Sequence, residues 1–419
     1  MPVLTGDLSA IVIASAATLA IVTRPFGVTE AVWAVGGGAA LVVLGVLPVS
    51  AAVGAVAKGD DVYLFLLGMM LLSEAARQEG LFDWVATYAV NAARGSARRL
   101  FGLVYATGTV ITVFLSNDAT AVVLTPAVLA VTRKAKIEPL PLLFICAFIA
   151  NAASFALPIS NPANLVVYGD RLPPLGAWLL RLGIPSVAAI VLTFITLHWT
   201  QRRHLNKRCE CDLEQARLSI EGWTALAGIA ATVLALLVVS ALGVPLGLPT
   251  ALLGGLTILC IAVMQRRAPW TILREVQWSI LPFVAGLFVM VAALERTTLL
   301  QALADSLRHA ATTSETVTSL SAGGITGLVC NVVNNLPTGL IARSLLQMSH
   351  ASPRISDSFL IGVDLGPNLA ITGSLATLLW LASIRRDREP IGFWRFFRVG
   401  IVVMPPALLA ALLVRVLMR

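Results

Sequence analysis

Residues 114–123, FLSNDATAVV, place an ionisable side chain between two apolar flanks. Asp118 stands here beside Asn117, and both flanks are apolar enough to lie in lipid. A carboxylate at membrane depth is costly, so such a residue is a candidate for function. A carboxyl group removed from water takes up a proton more readily, which makes Asp118 a candidate for proton coupling. The alternative is a buried helix cap or a structural partner for a neighbouring Asn.

Asp364 is the second acidic residue in such a position. Most of the 22 Asp and Glu residues fall in loops or near the ends of apolar segments, whereas Asp364 falls partway along one. Asp118 and Asp364 are therefore the two predicted proton-coupling residues. Each half of the chain supplies one of them, and the sequence leaves open which one carries the proton.

Small polar residues interrupt the apolar sequence at four places, which we interpret as breaks in helices. A broken helix in a membrane leaves backbone N–H and C=O groups that side chains or a ligand must pair. Residues 116–120 and 334–338 are predicted hairpin tips, and residues 160–164 and 373–377 are predicted breaks within spans. Any one of these polar residues could serve only as a helix cap. The candidate substrate-binding residues are Ser116, Asn117, Thr120, Asn151, Ser160, Asn161, Asn164, Asn334, Asn335, Thr338, Gly373, Ser374 and Thr377.

The composition indicates the class of protein that holds these residues. The chain is 58% hydrophobic and 12% charged, whereas soluble domains carry about 25% charged residues. Its apolar stretches of helix-spanning length predict an all-α polytopic membrane protein embedded in the lipid bilayer. The net charge of +8 comes from short clusters between apolar segments, without interleaved aromatic residues, which excludes nucleic-acid binding.

About ten spans and two re-entrant hairpins are predicted. The hairpins are residues 100–132 and 318–348, because each is apolar with a polar interruption. Residues 100–115 would make a helix of about 24 Å, short of the ~30 Å hydrocarbon core. The predicted spans are 8–22, 29–48, 62–77, 139–168, 176–200, 223–242, 248–264, 278–295, 356–382 and 395–416.

The basic residues predict the orientation of the chain. With both hairpins re-entrant, 21 of the 30 Lys and Arg residues lie on one side, and the positive-inside rule makes that side cytoplasmic. Both termini are then outside a plasma (inner) membrane.

The two halves of the chain align with each other. FLLGMMLL (65–72) matches FVAGLFVM (283–290), and SNDAT (116–120) matches NNLPT (334–338), both at an offset of 218. Residues 151–165 match 364–378 at an offset of 213. An odd number of spans in each half makes the repeats inverted, which is typical of secondary transporters. The predicted division is a first repeat over 1–200, a cytoplasmic linker over 201–221 and a second repeat over 222–419.

Other classes of function are excluded by missing motifs. The sequence has no HExxH, no GxSxG and no Gly-Lys dipeptide, so neither an intramembrane hydrolase nor a chain with its own Walker A loop is indicated. The five cysteines form no disulfide framework or paired CxxC metal site. Cys209 and Cys211 in the basic linker could capture a soft metal or metalloid, although two thiols in a polar loop are more often incidental.

The segments SNDATAVVLTPAVLA (116–130), NNLPTGLIA (334–342) and IGVDLGPNLAITGSLATLLWL (361–381) resemble the ArsB-type arsenite/antimonite efflux permeases of the ion-transporter superfamily. The resemblance runs nearly end to end. It implies export of arsenite or antimonite, as neutral trivalent hydroxides, in exchange for protons, without a cofactor or bound metal. It also implies the option of a soluble ATPase subunit, for which the 201–221 loop would be the docking site. The alternative is a sodium/proton antiporter or anion carrier of the same superfamily.

The sequence departs from the family pattern at two positions. The family has an acidic residue where this chain has Asn151, and a lysine where it has Asn368. If these positions pair, the loss of both charges cancels. If they do not, a proton carrier is lost, and Asp118 and Asp364 bear more of the coupling.

Overall fold

The protein is entirely helical in a computed structural model that describes residues 2–206, 217–386 and 391–418. No β-strand occurs in these ranges, which confirms the predicted all-α class. The described residues form the α-helices α1 (Pro2–Thr23), α2 (Glu30–Val43), α3 (Val49–Ala57), α4 (Asp60–Gln78), α5 (Leu81–Ala92), α6 (Ala97–Phe114), α7 (Asn117–Ala119), α8 (Thr125–Lys134), α9 (Leu140–Ala152), α10 (Pro162–Tyr168), α11 (Leu175–Gln201), α12 (Ile220–Ala241), α13 (Gly247–Gln265), α14 (Trp270–Glu275), α15 (Ile280–Leu294), α16 (Thr298–Thr313), α17 (Glu315–Val333), α18 (Asn335–Ser349), α19 (Pro353–Leu365), α20 (Leu375–Arg386) and α21 (Phe393–Leu417).

Six of the described helices are individually long and apolar enough to cross a membrane. Five of them fall on predicted spans, whereas α17 is the first limb of the predicted second hairpin, whose re-entry stays a prediction. The other five predicted spans are shorter helices, broken helices or, in α4, a helix with charged residues at both ends. Large apolar side chains such as Leu180 (76% exposed) and Val332 (71% exposed) point outward, as expected for a surface covered by lipid. The six helices are α1 (from Gly6), α11, α12, α13, α17 and α21.

The first hairpin reverses direction at Ser116. The hydroxyls of Thr112 and Thr120 are 2.8 Å apart, and Gly108 lies against Leu124, so the residues flanking the tip face each other. A π-helix, Thr120–Leu124, joins α7 to α8. The first limb is longer than the sequence suggested, since α6 has 18 residues, about 27 Å of helix. This is still short of the ~30 Å hydrocarbon core, and α6 is not among the described helices long and apolar enough to cross a membrane. Re-entry stays a prediction.

The other interruptions also occur where polar residues predicted them. In the second hairpin, α17 ends at Val333 and α18 begins at Asn335, with Asn334 at φ +80° between them. Residues 153–161 separate α9 from α10, and residues 366–374 separate α19 from α20. Short 3₁₀ turns fill these gaps, namely Pro158–Ser160, Gly366–Asn368 and Ile371–Gly373.

Two equivalent glycines allow close helix packing in the two halves. A Cβ on Gly68 would lie 2.3 Å from the backbone carbonyl of Thr250, where α4 packs on α13. A Cβ on Gly286 would lie 2.5 Å from the backbone carbonyl carbon of Ala34, where α15 packs on α2. Small residues allow such an approach of two membrane helices. These contacts support the inverted repeat, which stays a prediction, and they position α4 and α15 beside the two hairpins.

Candidate functional site

The first hairpin tip is held by its own polar side chains. Ser116 caps α7 by accepting a hydrogen bond from the Ala119 N–H at 3.1 Å, and Asn117 Oδ1 accepts one from the Asp118 N–H at 2.9 Å. The Thr120 hydroxyl donates to the Ser116 carbonyl at 3.3 Å. Ser116, Asn117 and Thr120 are buried, whereas Asp118 is partly exposed. The caps leave the Asp118 carboxylate as the free ionisable group of the tip.

Asp118 faces a cavity of about 430 Å³, which we call the Asp118 cavity. Its walls come from α4, the first hairpin, the start of α10, the segment from α14 to α15, and α20. Gln265, in the basic segment 265–267 assigned to the cytoplasmic side, donates to Glu79 at the end of α4 at 2.8 Å, so the cavity lies toward that side. The lining residues used below are Met70, Ser73, Glu74, Arg77, Ser116, Asp118, Val122, Pro126, Glu275 and Ser383.

An ion pair lines one wall of the Asp118 cavity. Arg77 donates to both carboxylate oxygens of Glu74, at 2.8 and 2.6 Å, and Gln78 donates to the same carboxylate at 2.7 Å. With Asp118 and Glu275, the lining holds three carboxylates and one arginine. The cavity is therefore negatively charged when its carboxylates are ionised. Glu74 lies near the end of a predicted span, yet it is only 8% exposed.

Asp364 connects the two halves of the chain. It is fully buried, and its Oδ1 accepts a hydrogen bond from Asn161 Nδ2 at 2.8 Å. Asn161 also caps α10 by accepting from the Ala163 N–H at 3.0 Å. Asp364 Oδ2 has no hydrogen-bond partner among the described residues. A buried oxygen without a partner is costly unless the carboxyl group is protonated or another group reaches it.

The two positions that depart from the family pattern contact each other. Asn151 Nδ2 donates to Asn368 Oδ1 at 3.0 Å, and Asn368 Nδ2 donates to the Phe148 carbonyl at 2.9 Å. Asn151 Oδ1 has no partner in the described part of the chain. An amide pair therefore stands at the two positions where the resemblance implies opposite charges, and this contact favours the hypothesis that the two charge losses compensate each other.

The remaining candidates mainly satisfy the broken backbone. Asn164 Nδ2 donates to the carbonyls of Ser154, Leu157 and Pro158, and the Ser160 hydroxyl donates to the Val113 carbonyl at 2.8 Å. In the second half, Asn334 Nδ2 donates to the Thr372 carbonyl at 3.2 Å.

Ser374 caps α20 through the Thr377 N–H at 3.1 Å, and the Thr338 hydroxyl donates to the Asn334 carbonyl at 2.6 Å. Asn335 is buried, and its Oδ1 has no partner among the described residues. A Cβ on residue 373 would lie 2.5 Å from Pro367 Cα, so a glycine fits this position without a steric clash.

The candidate residues thus fall into separate groups. Of the predicted site residues, only Ser116 and Asp118 line the Asp118 cavity. Asn161 and Asp364 form a buried contact, as do Asn151 and Asn368. The breaks nevertheless converge, because α20 packs on the first hairpin and α10 packs on the second. A binding site shared by all four breaks stays a prediction.

Sequence reasoning missed several polar residues. Asn331 accepts from the Ala370 N–H at 2.9 Å and donates to the Gly366 carbonyl at 3.0 Å, so it completes the second broken helix. Asp357 accepts hydrogen bonds from Arg181, Arg415 and Tyr168, and its carboxylate is fully buried. The sequence does show residues of opposite charge near the ends of apolar segments, which is a signal for ion pairs. Their spacing does not show which of these residues form a pair.

The thiol hypothesis has no support in the described ranges. Cys209 and Cys211 lie outside the described residues, as does all of 207–216 in the predicted 201–221 linker. Cys146 and Cys330 are buried and Cys260 is exposed. Within the described part of the chain, no group of three His, Cys, Asp or Glu side chains is arranged to hold a metal ion.

Comparisons with known proteins identify transporters. A family model described as "CitMHS: Citrate transporter" matches residues 17–362. The arsenical pump membrane protein of Escherichia coli (strain K12) is 28% identical over 374 residues, covering 83% of this chain and 85% of the relative. The protein of the same description from Yersinia enterocolitica is 29% identical over 373 residues, with the same coverage. These matches confirm the resemblance seen in the sequence.

A solved structure has a similar fold. The Alcanivorax borkumensis YdaH transporter, described as having an unusual topology, aligns with a TM-score of 0.58 at 18% identity. The alignment covers 87% of this chain and 86% of YdaH. At this identity the match shows a shared fold alone.

Proposed function

The chain belongs to the citrate transporter (CitMHS) family, and from this premise we propose that it exports trivalent arsenic or antimony hydroxides in exchange for protons. Like its relatives, it is a polytopic membrane transporter and not an enzyme. The relatives described as arsenical pump membrane proteins suggest the substrate. A plasma (inner) membrane location with both termini outside is part of the proposal.

The charge of the Asp118 cavity is the observation that carries the choice of substrate. Its lining has Asp118, Glu74 and Glu275 against Arg77 alone. A cavity of one charge sign repels a ligand of the same sign, so a free tricarboxylate is disfavoured despite the family description. Arsenious acid is a small, mostly neutral triol at neutral pH. The hydroxyls of Ser73, Ser116 and Ser383 offer donors and acceptors for it.

Asp118 is the proposed site of proton exchange. It stands at the hairpin tip, partly exposed to the cavity, so a proton and a substrate hydroxyl can reach it from the same side. The first hairpin packs on α20 of the second half, which lets occupancy at the tip influence the contact between halves. Asp364 is the second candidate, because its hydrogen bond to Asn161 joins α19 to α10. The two groups give the exporter one accessible and one buried carboxyl.

Uptake into everted membrane vesicles tests this function. Vesicles that hold the protein should accumulate arsenite and antimonite when a proton gradient, acid inside, is imposed, and vesicles without the protein should not. A protonophore should abolish the accumulation. Transport of citrate or sodium in place of arsenite would overturn the proposed substrate.

A sodium/proton antiporter is the second candidate, favoured by the same negative lining, which suits a cation as well as a neutral triol. Counterflow of sodium and protons in the same vesicles, without arsenite movement, would establish it.

The soluble ATPase subunit at residues 201–221 also stays a proposal. We expect a partner to co-purify with the full chain and to be lost when the basic residues of this loop are replaced. Unchanged transport in proteoliposomes that contain the chain alone would show that no such subunit is required.

A further inference from the structure

A second charged cavity lies at the opposite end of the helices from the Asp118 cavity. It has a volume of about 150 Å³ and is formed by the segment after α10 together with α11, α18 and α19. We call it the arginine pocket, because Arg171, Arg181 and Arg343 line it. No Asp or Glu is among its lining residues. The transport proposal uses none of these three residues.

Arg343 is a buried cation whose one ion pair among the described residues is long. Only 9% of the residue is exposed, and its ion pair is to Asp170 at 3.4 Å, a carboxylate that is itself 93% exposed. A guanidinium has five N–H donors. Burial of a charge is costly unless it is paired and hydrogen-bonded. The long contact with Asp170 leaves Arg343 with donors to spare.

The backbone makes room for this guanidinium. Gly169 has φ +52°, and a Cβ there would lie 2.2 Å from Arg343 Cζ. Any other residue at position 169 would therefore be strained and would displace Arg343. The space around the Arg343 guanidinium depends on this glycine.

The other two arginines keep the pocket positive. Arg181 binds Asp357, but Arg415 binds the same carboxylate, with Nε 2.7 Å from Oδ2, so one negative charge is shared between two cations. Arg171 is exposed and makes no hydrogen bond or ion pair with the described residues. Positive charge therefore exceeds negative charge at this pocket.

We propose that the arginine pocket binds an oxyanion of the phosphate class, either free phosphate or the phosphate of a lipid headgroup. Guanidinium groups bind such oxygens through paired, charge-assisted hydrogen bonds. The pocket sits on the face predicted to be external and is separate from the Asp118 cavity. The proposal is independent of the transported substrate.

Thermal unfolding of the purified full chain tests this site. In lipid-depleted detergent solution, inorganic phosphate should raise the Tm in a saturable way relative to sodium chloride of the same ionic strength, because a ligand that binds only the folded state stabilises it. Arg171→Gln and Arg343→Gln should each weaken the apparent affinity about tenfold, as expected for loss of a charge-assisted hydrogen bond. Arg171 is exposed, so its variant stays informative if Arg343→Gln does not fold.

Nanodiscs distinguish the two sources of phosphate. If discs with phosphatidylglycerol raise the Tm over discs with phosphatidylcholine, and free phosphate has no effect, the ligand is a headgroup. Arg296→Gln is the matched control, because Arg296 is exposed at the end of α15 outside the pocket. No stabilisation by either source, or a stabilisation that both pocket variants retain, would overturn the proposal.

Discussion

Two cavities are lined by positions that the predicted repeat makes equivalent, yet they differ in size. The Asp118 cavity has about 430 Å³, whereas the cavity beside Glu295, which we call the Glu295 cavity, has about 130 Å³. Their lining residues correspond at an offset of 218. The six pairs are Met70 and Phe288, Ser73 and Val291, Glu74 and Ala292, Arg77 and Glu295, Val122 and Leu340, and Pro126 and Ser344.

Side-chain volume changes in both directions across these pairs. Phe288, Val291 and Leu340 are bulkier than their partners, whereas Ala292, Glu295 and Ser344 are smaller than theirs. Arg343 adds bulk to the Glu295 cavity, where the first half has Thr125 at an offset of 218. The positions that the predicted repeat pairs therefore line a large cavity in one half, the open side, and a small one in the other, the filled side. The open side is the one predicted to be cytoplasmic, from which an exporter takes its substrate.

The two ends also differ in what holds them together. Near the Glu295 cavity, Asp357 binds Arg181, Arg415 and Tyr168 inside the protein. At the offset of 213 found for residues 151–165 and 364–378, the position in the first half that corresponds to Asp357 is Phe144. Phe144 packs on other aromatic rings. This aromatic cluster consists of Phe144, Phe148, Trp380 and Phe396.

Replacement of Asp118 should have the largest effect on the comparison, because the equivalent residue in the second half is Leu336. We expect Asp118→Asn to abolish proton-driven arsenite accumulation in everted vesicles while the protein stays folded, since an amide cannot carry the proton. Asp305→Asn, on exposed α16, is the control. Full coupling in Asp118→Asn would transfer the role to Asp364 or refute the mechanism.

Replacement of Asp357 should destabilise the folded protein at the ion pairs with Arg181 and Arg415. Asp357→Asn leaves Arg181 and Arg415 without their shared counter-charge, so we expect a loss of about 3–5 kcal/mol in the free energy of unfolding. Chemical unfolding in detergent, with Asp305→Asn beside it, measures the difference. Equal stability of the two variants would show that the charge network does not hold this end.

The glycine contacts test whether the two halves are built alike. Gly68→Ala and Gly286→Ala should each cost about 1–3 kcal/mol, because each methyl group would overlap backbone atoms of a neighbouring helix. Gly36→Ala and Gly255→Ala are controls, since a Cβ at either position has nothing within 4 Å. The same unfolding assay applies. A marked difference between the first two variants would argue against equivalent packing.

The smallest expected effect is a difference between the two cavities in the reaction rate of an introduced cysteine with a thiol reagent. In a chain whose five natural cysteines are replaced by serine, Ser73→Cys should react with a polar thiol reagent about fivefold faster than Val291→Cys, which corresponds to ~1 kcal/mol of preference for the open side. Adding Phe288→Met to the Val291→Cys variant should reduce the difference between the two reaction rates. Faster reaction at position 291 would mean that the opposite side is open in solution.

Much of the helical plan was predictable from local chemistry. Ser116 and Asn334 mark the hairpin tips because short polar side chains cap the helices that start there. The start of α6 was placed too late, because Ala97, Arg98 and Arg99, at a charged helix start, belong to the helix as well. Composition does not reveal where a helix begins among charged residues.

Long-range partners were beyond the sequence. Asp357 and Arg181 are 176 residues apart, and Asn161 and Asp364 are 203 apart. Spacing places residues on a helix face but does not say which helix faces it.

The sequence by itself determined the membrane class, the four helix breaks and the types of side chain at them, because hydropathy and capping act within a few residues. Only the tertiary structure decided that Asp118 opens to a cavity while Asp364 is buried, and that Asn151 meets Asn368. Those outcomes depend on how the two halves pack, and packing alone sets which groups lose contact with water and which meet across the interface.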